Sequence, residues 1–396
     1  MARAVVLTPR IPWPLDDGGL IALWQSLWST AQRFDVTLLS MVRKGTENDE
    51  IPRKIQDLGV EVIRIPHSPP SLPVAAWRGI AGRWPYTLTR YRNTAYESRL
   101  RQIVREQRPD FIFGNHLHLA TYMDIADGVP WVLREQNLEY LWMMRYAQTL
   151  RPGPKKLYAQ IQAGRLRAAE SELCSRASLV FAIQDDEVER IRHIAPRANV
   201  ACLPIGVDPA NYRKSQPKTP PVILLAGNFG WPPNGHGALR FIRDGWPMIQ
   251  ASYPNAKLRL AGKDPSPEVV QAARSVDAEV AGYVSSMIDE FVDATMLVVP
   301  LWSGAGARAK TVEALMCQLP VVSTSVGAEG MGMTPGEHLL IADTPEDLGK
   351  HVVDLLGSPQ KMEKLGSKGH QFALENWSME AVAKVQNRYC ESILKG

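Results

Sequence analysis

Short runs of apolar residues recur along the chain, each followed by a segment long enough for an amphipathic helix. In the first half the runs cover residues 4–7, 36–42, 60–65, 111–114, 131–134, 179–183 and 200–203. Several are almost wholly apolar, the pattern of strands buried on both faces of a parallel sheet. Helical segments such as residues 20–32 and 99–107 lie between them. This alternation predicts a doubly wound α/β domain. The polar, proline-rich stretch YRKSQPKTPP at residues 212–221 breaks the rhythm and reads as a linker. A second series follows at residues 222–226, 258–261, 280–284, 297–300, 321–324 and 339–342, and residues 346–356 and 380–394 read as terminal helices. The prediction is two α/β domains, 1–215 and 216–377, with a last helix in 378–396 that packs back on the first domain.

Composition narrows the class. A chain of 396 residues is long enough for two cores. Hydrophobic residues at 45% and charged residues at 22% exclude a disordered chain or a coiled-coil rod. No apolar run is long enough to span a bilayer, and the first residues lack the pattern of a signal peptide. The four cysteines, Cys174, Cys202, Cys317 and Cys390, are scattered, so neither a zinc site nor a disulfide framework is expected. The net charge of +4 is too small to argue for nucleic acid.

Paired α/β domains bind ligands in the cleft between them, at the C-terminal ends of the strands, so chemistry is expected just after strands. Residues 9–19, PRIPWPLDDGG, follow the first strand. Gly18 and Gly19 leave backbone N–H groups uncovered at a helix start, an anion site or a plain tight turn. Residues 227–234, GNFGWPPN, follow the first strand of the second half and include Gly230 and Asn234. Asn234 reads as a cap for a helix from about Gly237 or as a cleft residue. The strongest motif is LWSGAGARAKTVEAL, with Gly304, Gly306, Arg308, Lys310 and Glu313. Arg308 and Lys310 fall in the first turns of a helix, where a cation is unfavourable unless an anion is bound. A diphosphate resolves that conflict, and Glu313 suits a ribose diol. The plain alternative is an exposed Lys310–Glu313 ion pair.

In the first half GNHLH (residues 114–118) and REQNLE (residues 134–139) end two strands. His116 or His118 is placed to donate hydrogen bonds or shuttle a proton. Arg134, Asn137 and Glu139 share the same edge. No spaced metal-ligand cluster is found; Asp16-Asp17 and Asp185-Asp186 are adjacent pairs. Residues 77–108 carry eight arginines interleaved with Trp77, Trp84, Tyr86 and Tyr91, and residues 141–167 add six more basic residues. Such a mixture suits an anionic membrane surface, a phosphorylated acceptor, a nucleic-acid groove or an ordinary solvated face.

Together these marks resemble the GT-B glycosyltransferases of the retaining family-4 type. The resemblance is carried by PRIPWPLDDGG, REQNLE, IGVD at residues 205–208, FGWPPN at 229–234, and GxGxRxKxxEA followed by PVVST within 304–324. It implies an α/β GT-B fold, two Rossmann-like domains facing across a cleft. It further implies transfer, with retention, from a nucleoside-diphosphate sugar held by the C-terminal domain to a glycan or lipid-linked glycan on the N-terminal one. In that scheme Gly18, Gly19, Gly230, Asn234, Arg308, Lys310 and Glu313 bind donor, and His118, Arg308 and Lys310 act on the reacting groups. Arg134, Asn137 and Glu139 lie on the acceptor side. No cofactor, metal or nucleic acid is implied, and the setting is the cytoplasm, peripheral on the inner face of the plasma membrane, in polysaccharide and envelope assembly. Three positions depart from the pattern. Ala305 stands where a glutamate is frequent, Gln136 where a histidine is common, and residues 227–234 lack an Arg and Lys pair. A sugar-nucleotide epimerase and a non-enzymatic partner protein of the same fold are the alternatives.

Overall fold

Alternation along single strands builds both sheets. In β1 (Arg3–Thr8), Val5 and Leu7 join one apolar cluster, and Ala4 and Val6 join another on the opposite face. Successive side chains of a strand point to opposite faces, so an all-apolar run is stable only when helices cover both. The same division holds in β2 (Asp35–Arg43), β4 (Phe111–Asn115), β5 (Trp131–Arg134) and β6 (Leu179–Ala182). With β3 (Glu61–His67) and β7 (Val200–Cys202) they form a seven-stranded parallel sheet, ordered β3-β2-β1-β4-β5-β6-β7. The second sheet is parallel too. Its six strands are β8 (Val222–Ala226), β9 (Lys257–Ala261), β10 (Glu279–Gly282), β11 (Met296–Val299), β12 (Val321–Ser323) and β13 (Leu340–Ile341), ordered β10-β9-β8-β11-β12-β13. Every strand expected from the apolar runs is present. The computed structural model describes residues 1–15, 18–126, 128–303 and 308–395, and of Leu72, Pro73, Ala76, Arg78, Thr149 and Arg308 the backbone alone.

The chain forms two compact units, Met1–Gly206 with Met379–Gly396, and Val207–Ser378. The boundary lies earlier than residue 215. The polar stretch expected as a linker is strapped to the second unit instead. Ser215 N–H donates to Cys317 O at 2.7 Å and Gln216 N–H to Val292 O at 2.7 Å, while Tyr212 packs against that unit's apolar cluster. The last helix, Met379–Ile393, belongs to the first unit. It lies on the helix Gly18–Ala31, where the Gln386 amide donates to Ser26 O at 3.2 Å and to Thr30 Oγ1 at 3.0 Å.

In each sheet the strand order reverses beside the first strand of the unit: β1 lies between β2 and β4, and β8 between β9 and β11. Loops leaving such a point in opposite directions open a crevice at the strands' C-terminal ends. The helix after β8 starts at Pro232 rather than near Gly237, because proline suits the first turn, where its missing N–H has no partner to lose. Gly237 is inside that helix because the chain passes so close to β11 that a Cβ there would run into the Pro300 carbonyl oxygen. Gly237→Ala is therefore expected to destabilise the protein by roughly 1–3 kcal/mol, the usual range for overpacking. Gly18→Ala, with no atom within 4 Å of its added methyl, is expected to melt near wild type. Urea unfolding of the two variants checks both.

Candidate functional site

The helix Arg308–Met316 in the second unit follows β11 and residues 300–307. Lys310, its third residue, turns back across the end of β8. The ammonium donates to Ala226 O at 2.7 Å and to Asn234 Oδ1 at 3.0 Å. Neither acceptor is charged, and burial pulls the Lys310 pKa down to about 8. A cation is thus held with neutral partners at the positive end of a helix. Asn234 is a spacer rather than a cap: its Nδ2 donates to Asn228 O at 2.9 Å while its oxygen holds Lys310. Gly230 lets the same loop lie on Asp264, with its N–H donating to the Asn228 side chain at 3.0 Å. One turn beyond Lys310, Glu313 accepts a long hydrogen bond, 3.5 Å, from the Tyr212 hydroxyl, and burial raises its pKa. Among the described residues Lys310 and Glu313 form no ion pair, so the plain alternative for this helix does not hold. Gly304, Ala305, Gly306 and the Arg308 side chain lie outside the described residues.

In the first unit the helix Gly18–Ala31 opens on Gly18 and Gly19 at the end of the β1 segment, while Asp16 and Asp17 lie outside the described residues. Beside this turn a cavity of about 330 Å³ is lined by Pro9, Arg10, Trp13, Met41, Arg43 and His67. Farther along the edge, strand geometry stops at Asn115. His116 has φ +71° and the short helix Leu117–Ala120 follows, so His116 and His118 do not share a strand face. His118 is buried against Tyr91, with ring centroids 4.4 Å apart, and its Nδ1 has no partner among the described residues. Desolvation, His116 and Arg90 push its pKa down to about 3. The ring is neutral near neutral pH, which suits hydrogen bonding and not proton storage. Its Nε2 is 4.0 Å from Glu139 Oε1, and burial raises the Glu139 carboxyl to about 7.

The fold has counterparts among known proteins. Residues 21–206 match the family described as Glycosyl transferase 4-like domain, and residues 220–358 match Glycosyl transferases group 1. Sucrose-phosphate synthase from Thermosynechococcus elongatus superposes with a TM-score of 0.62 at 16% identity, covering 99% of each chain. Anabaena HepE in complex with UDP superposes at 0.61 with 12% identity, covering 98% of this chain and 100% of that one. The Klebsiella pneumoniae "Uncharacterized 44.6 kDa protein in cps region" is 24% identical over 297 residues, 72% of this chain and 75% of that protein. The chain belongs to the GT-B glycosyltransferases.

Not every polar residue on this glycosyltransferase's first sheet edge faces outward. Arg134, expected on the acceptor side, is wholly buried on the other face of the sheet. It donates to Ser26 Oγ at 2.9 Å, Ala22 O at 3.2 Å and Pro204 O at 3.3 Å, and so ties β5 to the helix Gly18–Ala31. Asn137 is exposed on the loop, and Glu139 stays at the edge beside His118. Gln136 is buried, and its Nε2 has no partner among the described residues. Three features have no mark in the sequence pattern. One is the cavity at Trp13, Arg43 and His67. Another is Glu170, in the helix Pro154–Arg176, whose carboxylate accepts the N–H groups of Glu139 at 3.0 Å and Tyr140 at 3.2 Å. The third is Glu135, which accepts the Leu117 N–H and sets the turn at His116. No local pattern signals such long-range caps. Among the described residues no three His, Cys, Asp or Glu side chains converge as a metal set.

Burial raises the carboxyls of Glu139 to about 7 and Glu170 to about 8. Acids with raised folded-state pKa values take up protons on folding, so their contribution to stability is lost as pH rises through those values. His118 acts oppositely, but below its unfolded pKa. From about pH 6.5 to about pH 8 the acids dominate, and the melting temperature is expected to fall. Glu139→Gln should remove roughly 1 kcal/mol of that fall, measurable by thermal denaturation at the two pH values.

Proposed function

We propose that this glycosyltransferase moves a sugar from a nucleoside-diphosphate sugar to a glycan or lipid-linked glycan acceptor, with retention at the anomeric carbon and without a metal ion. The observation that carries the reading is the Lys310 ammonium, buried at a helix start with neutral partners. A diphosphate supplies the missing anion, and the helix N–H groups add donors. When the bond from the anomeric carbon to the phosphate oxygen breaks, negative charge grows on the leaving diphosphate and Lys310 stabilises it. Arg308, from its place in the sequence, is assigned to the same phosphates, and Gly18 and Gly19 to close backbone approach. Glu313 takes the ribose hydroxyls. The neutral His118 ring is assigned a hydrogen bond to the sugar, and the leaving phosphate itself accepts the acceptor's proton. Asn137, Glu139 and the cavity at Trp13 and His67 form the acceptor side.

HepE's complex with UDP supports a nucleoside-diphosphate donor, and the relative in a cps region supports a role in polysaccharide and envelope assembly. Among the described residues no helix is long and apolar enough to cross a membrane. The reading places the enzyme in the cytoplasm, working peripherally at the inner face of the plasma membrane. Nucleoside diphosphate released only when acceptor is present separates transfer from an epimerase or a silent partner protein.

Two tests follow from the donor side. Only the protonated Lys310 attracts phosphate, so nucleoside-diphosphate affinity should fall as pH rises through about 8. Lys310→Arg, with a cation that does not titrate there, should flatten the profile, and Lys310→Met should weaken binding by roughly 1.5–3 kcal/mol at pH 7. Calorimetric titration across pH reads both; a flat wild-type profile with an unaffected Lys310→Met removes the phosphate role. For Glu313, wild type should bind a donor analogue lacking both ribose hydroxyls more weakly than the donor. Glu313→Ala should bind the two about equally, having lost roughly 1.5–3 kcal/mol for the donor.

A further inference from the structure

We propose that one outward face of the N-terminal unit is a seat for an anionic lipid bilayer, formed by the helices Leu72–Ala81, Glu139–Thr149 and the first half of Pro154–Arg176. On a helix of a water-soluble protein the large apolar residues turn inward. Here the pattern is inverted. In Leu72–Ala81 the small residues Ala75 and Gly79 are buried, while Val74, Trp77 and Ile80 are 44%, 70% and 53% exposed. Gly79 is held inward by close packing on Tyr86 and by a 3.0 Å hydrogen bond from Gln162 to its carbonyl. In Pro154–Arg176, Ala159, Gln162 and Ala163 are buried while Leu157 and Ile161 are exposed. In Glu139–Thr149, Trp142 and Tyr146 are exposed and stack on each other, centroids 5.7 Å apart. Among the described residues, eight of the twelve exposed large hydrophobic side chains lie on these three helices. Exposed apolar side chains gathered in this number mark an interaction surface.

Charge selects the partner. No Asp or Glu occurs from residue 62 to 96 or from 140 to 169. Residues 150–153 join the second and third helices, which pack along each other. Trp142 and Ile161 each lie seven residues from this tip, so they sit at about the same level, roughly 10 Å along the pair. Nearer the tip come Arg145, Arg151, Lys155 and Lys156, none of them ion-paired among the described residues. Of the eight arginines of residues 77–108, which first suggested a basic face, three are ion-paired within the unit. Arg83 pairs with Asp124 and Glu172, and Arg92 and Arg101 with Glu97. Arg145, Arg151, Lys155 and Lys156 are thus cations that lie beside exposed aromatic and aliphatic residues, in a segment without acids. Tryptophan and tyrosine settle at the headgroup level with aliphatic side chains below, and cations hold anionic headgroups. A protein partner of matching apolar shape would not need a border stripped of acids.

This surface deepens the proposed function by naming where a lipid-borne acceptor would be met, and it rests on that reading for its purpose alone, since vesicle binding is read without sugar transfer. The full chain should co-sediment with phosphatidylglycerol-containing vesicles at low salt, and bind about tenfold or more weakly at high salt or to pure phosphatidylcholine. Trp142→Ser with Ile161→Ser, Trp77→Ser with Ile80→Ser, and Lys155→Glu with Lys156→Glu should each weaken binding about tenfold or more. Nucleoside-diphosphate affinity should stay at the wild-type value in all three, showing that they fold and that the donor site is separate. Absent wild-type binding to phosphatidylglycerol vesicles overturns the proposal, as does equal binding by all variants. Concentration-dependent self-association abolished by the apolar substitutions assigns the face to a second copy of the chain instead.

Discussion

A buried ammonium with uncharged partners cannot sit at the positive end of a helix without cost, and the second unit is organised around that conflict. Lys310 reaches the end of β8 because the backbone there leaves room. Gly227 has φ +137°, and a Cβ on it would press on both Asn234 and the Lys310 Nζ. Gly262, at φ +144°, lies so close that a Cβ would collide with the Gly227 carbonyl. The glycines thus set the loop, the loop sets Asn234, and Asn234 with Ala226 O sets the ammonium. Desolvation lowers the lysine's pKa, and an arriving anion raises it again. In the proposed reading the same groups hold a cation that lacks an anion in the free protein and has one when a diphosphate is bound.

The first unit handles charge differently. Arg134 and Glu135 are adjacent, opposite in sign and both buried, yet they do not neutralise each other. Alternation at the end of β5 sends Arg134 to the helix Gly18–Ala31 and Glu135 to the helix Pro154–Arg176 side, with the sheet between them. Arg134 relies on carbonyls and a hydroxyl, and desolvation pulls it to about 9. Glu135 lies among Glu170, Glu139 and Glu187, and burial with like charge pushes it well up. One result is a rigid edge: Arg134 fixes the helix that opens on Gly18, while Glu135 and Glu170 fix the turns that carry His118 and Glu139.

The strands were legible because burial on both faces leaves an unbroken apolar run, which neither a surface loop nor a half-exposed helix can carry without exposing apolar area to water. The nearness of Lys310 and Glu313 was legible because they lie three residues apart and a single helix carries both. Long-range pairing was not. REQNLE reads as one polar cluster, but its residues divide between two faces of a sheet and a helix start, a division made by strand geometry and by Glu170, 31 residues beyond Glu139. The domain boundary failed for a related reason. Proline and lysine in residues 212–221 resemble a free linker, whereas backbone hydrogen bonds to Cys317 and Val292, about a hundred and about seventy-five residues away, hold the stretch to the second unit.

Counting cations along a sequence has the same weakness, because a formal charge carries little field once a carboxylate lies beside it. Arg83, Arg92, Arg101 and Arg176 all find acids within their own unit. What remains available to an outside partner is the difference between the sequence's charge and the structure's pairing. In this protein part of that difference lies on the helices where the larger apolar residues turn outward and the small ones inward. Ala75 and Gly79 allow Leu72–Ala81 to lie close against its neighbours, and that close packing is what turns Trp77 and Ile80 away from the core. The inverted face is therefore a consequence of how the helix is seated: filling Ala75 or Gly79 with larger apolar residues would enlarge the core only by lifting the helix off it.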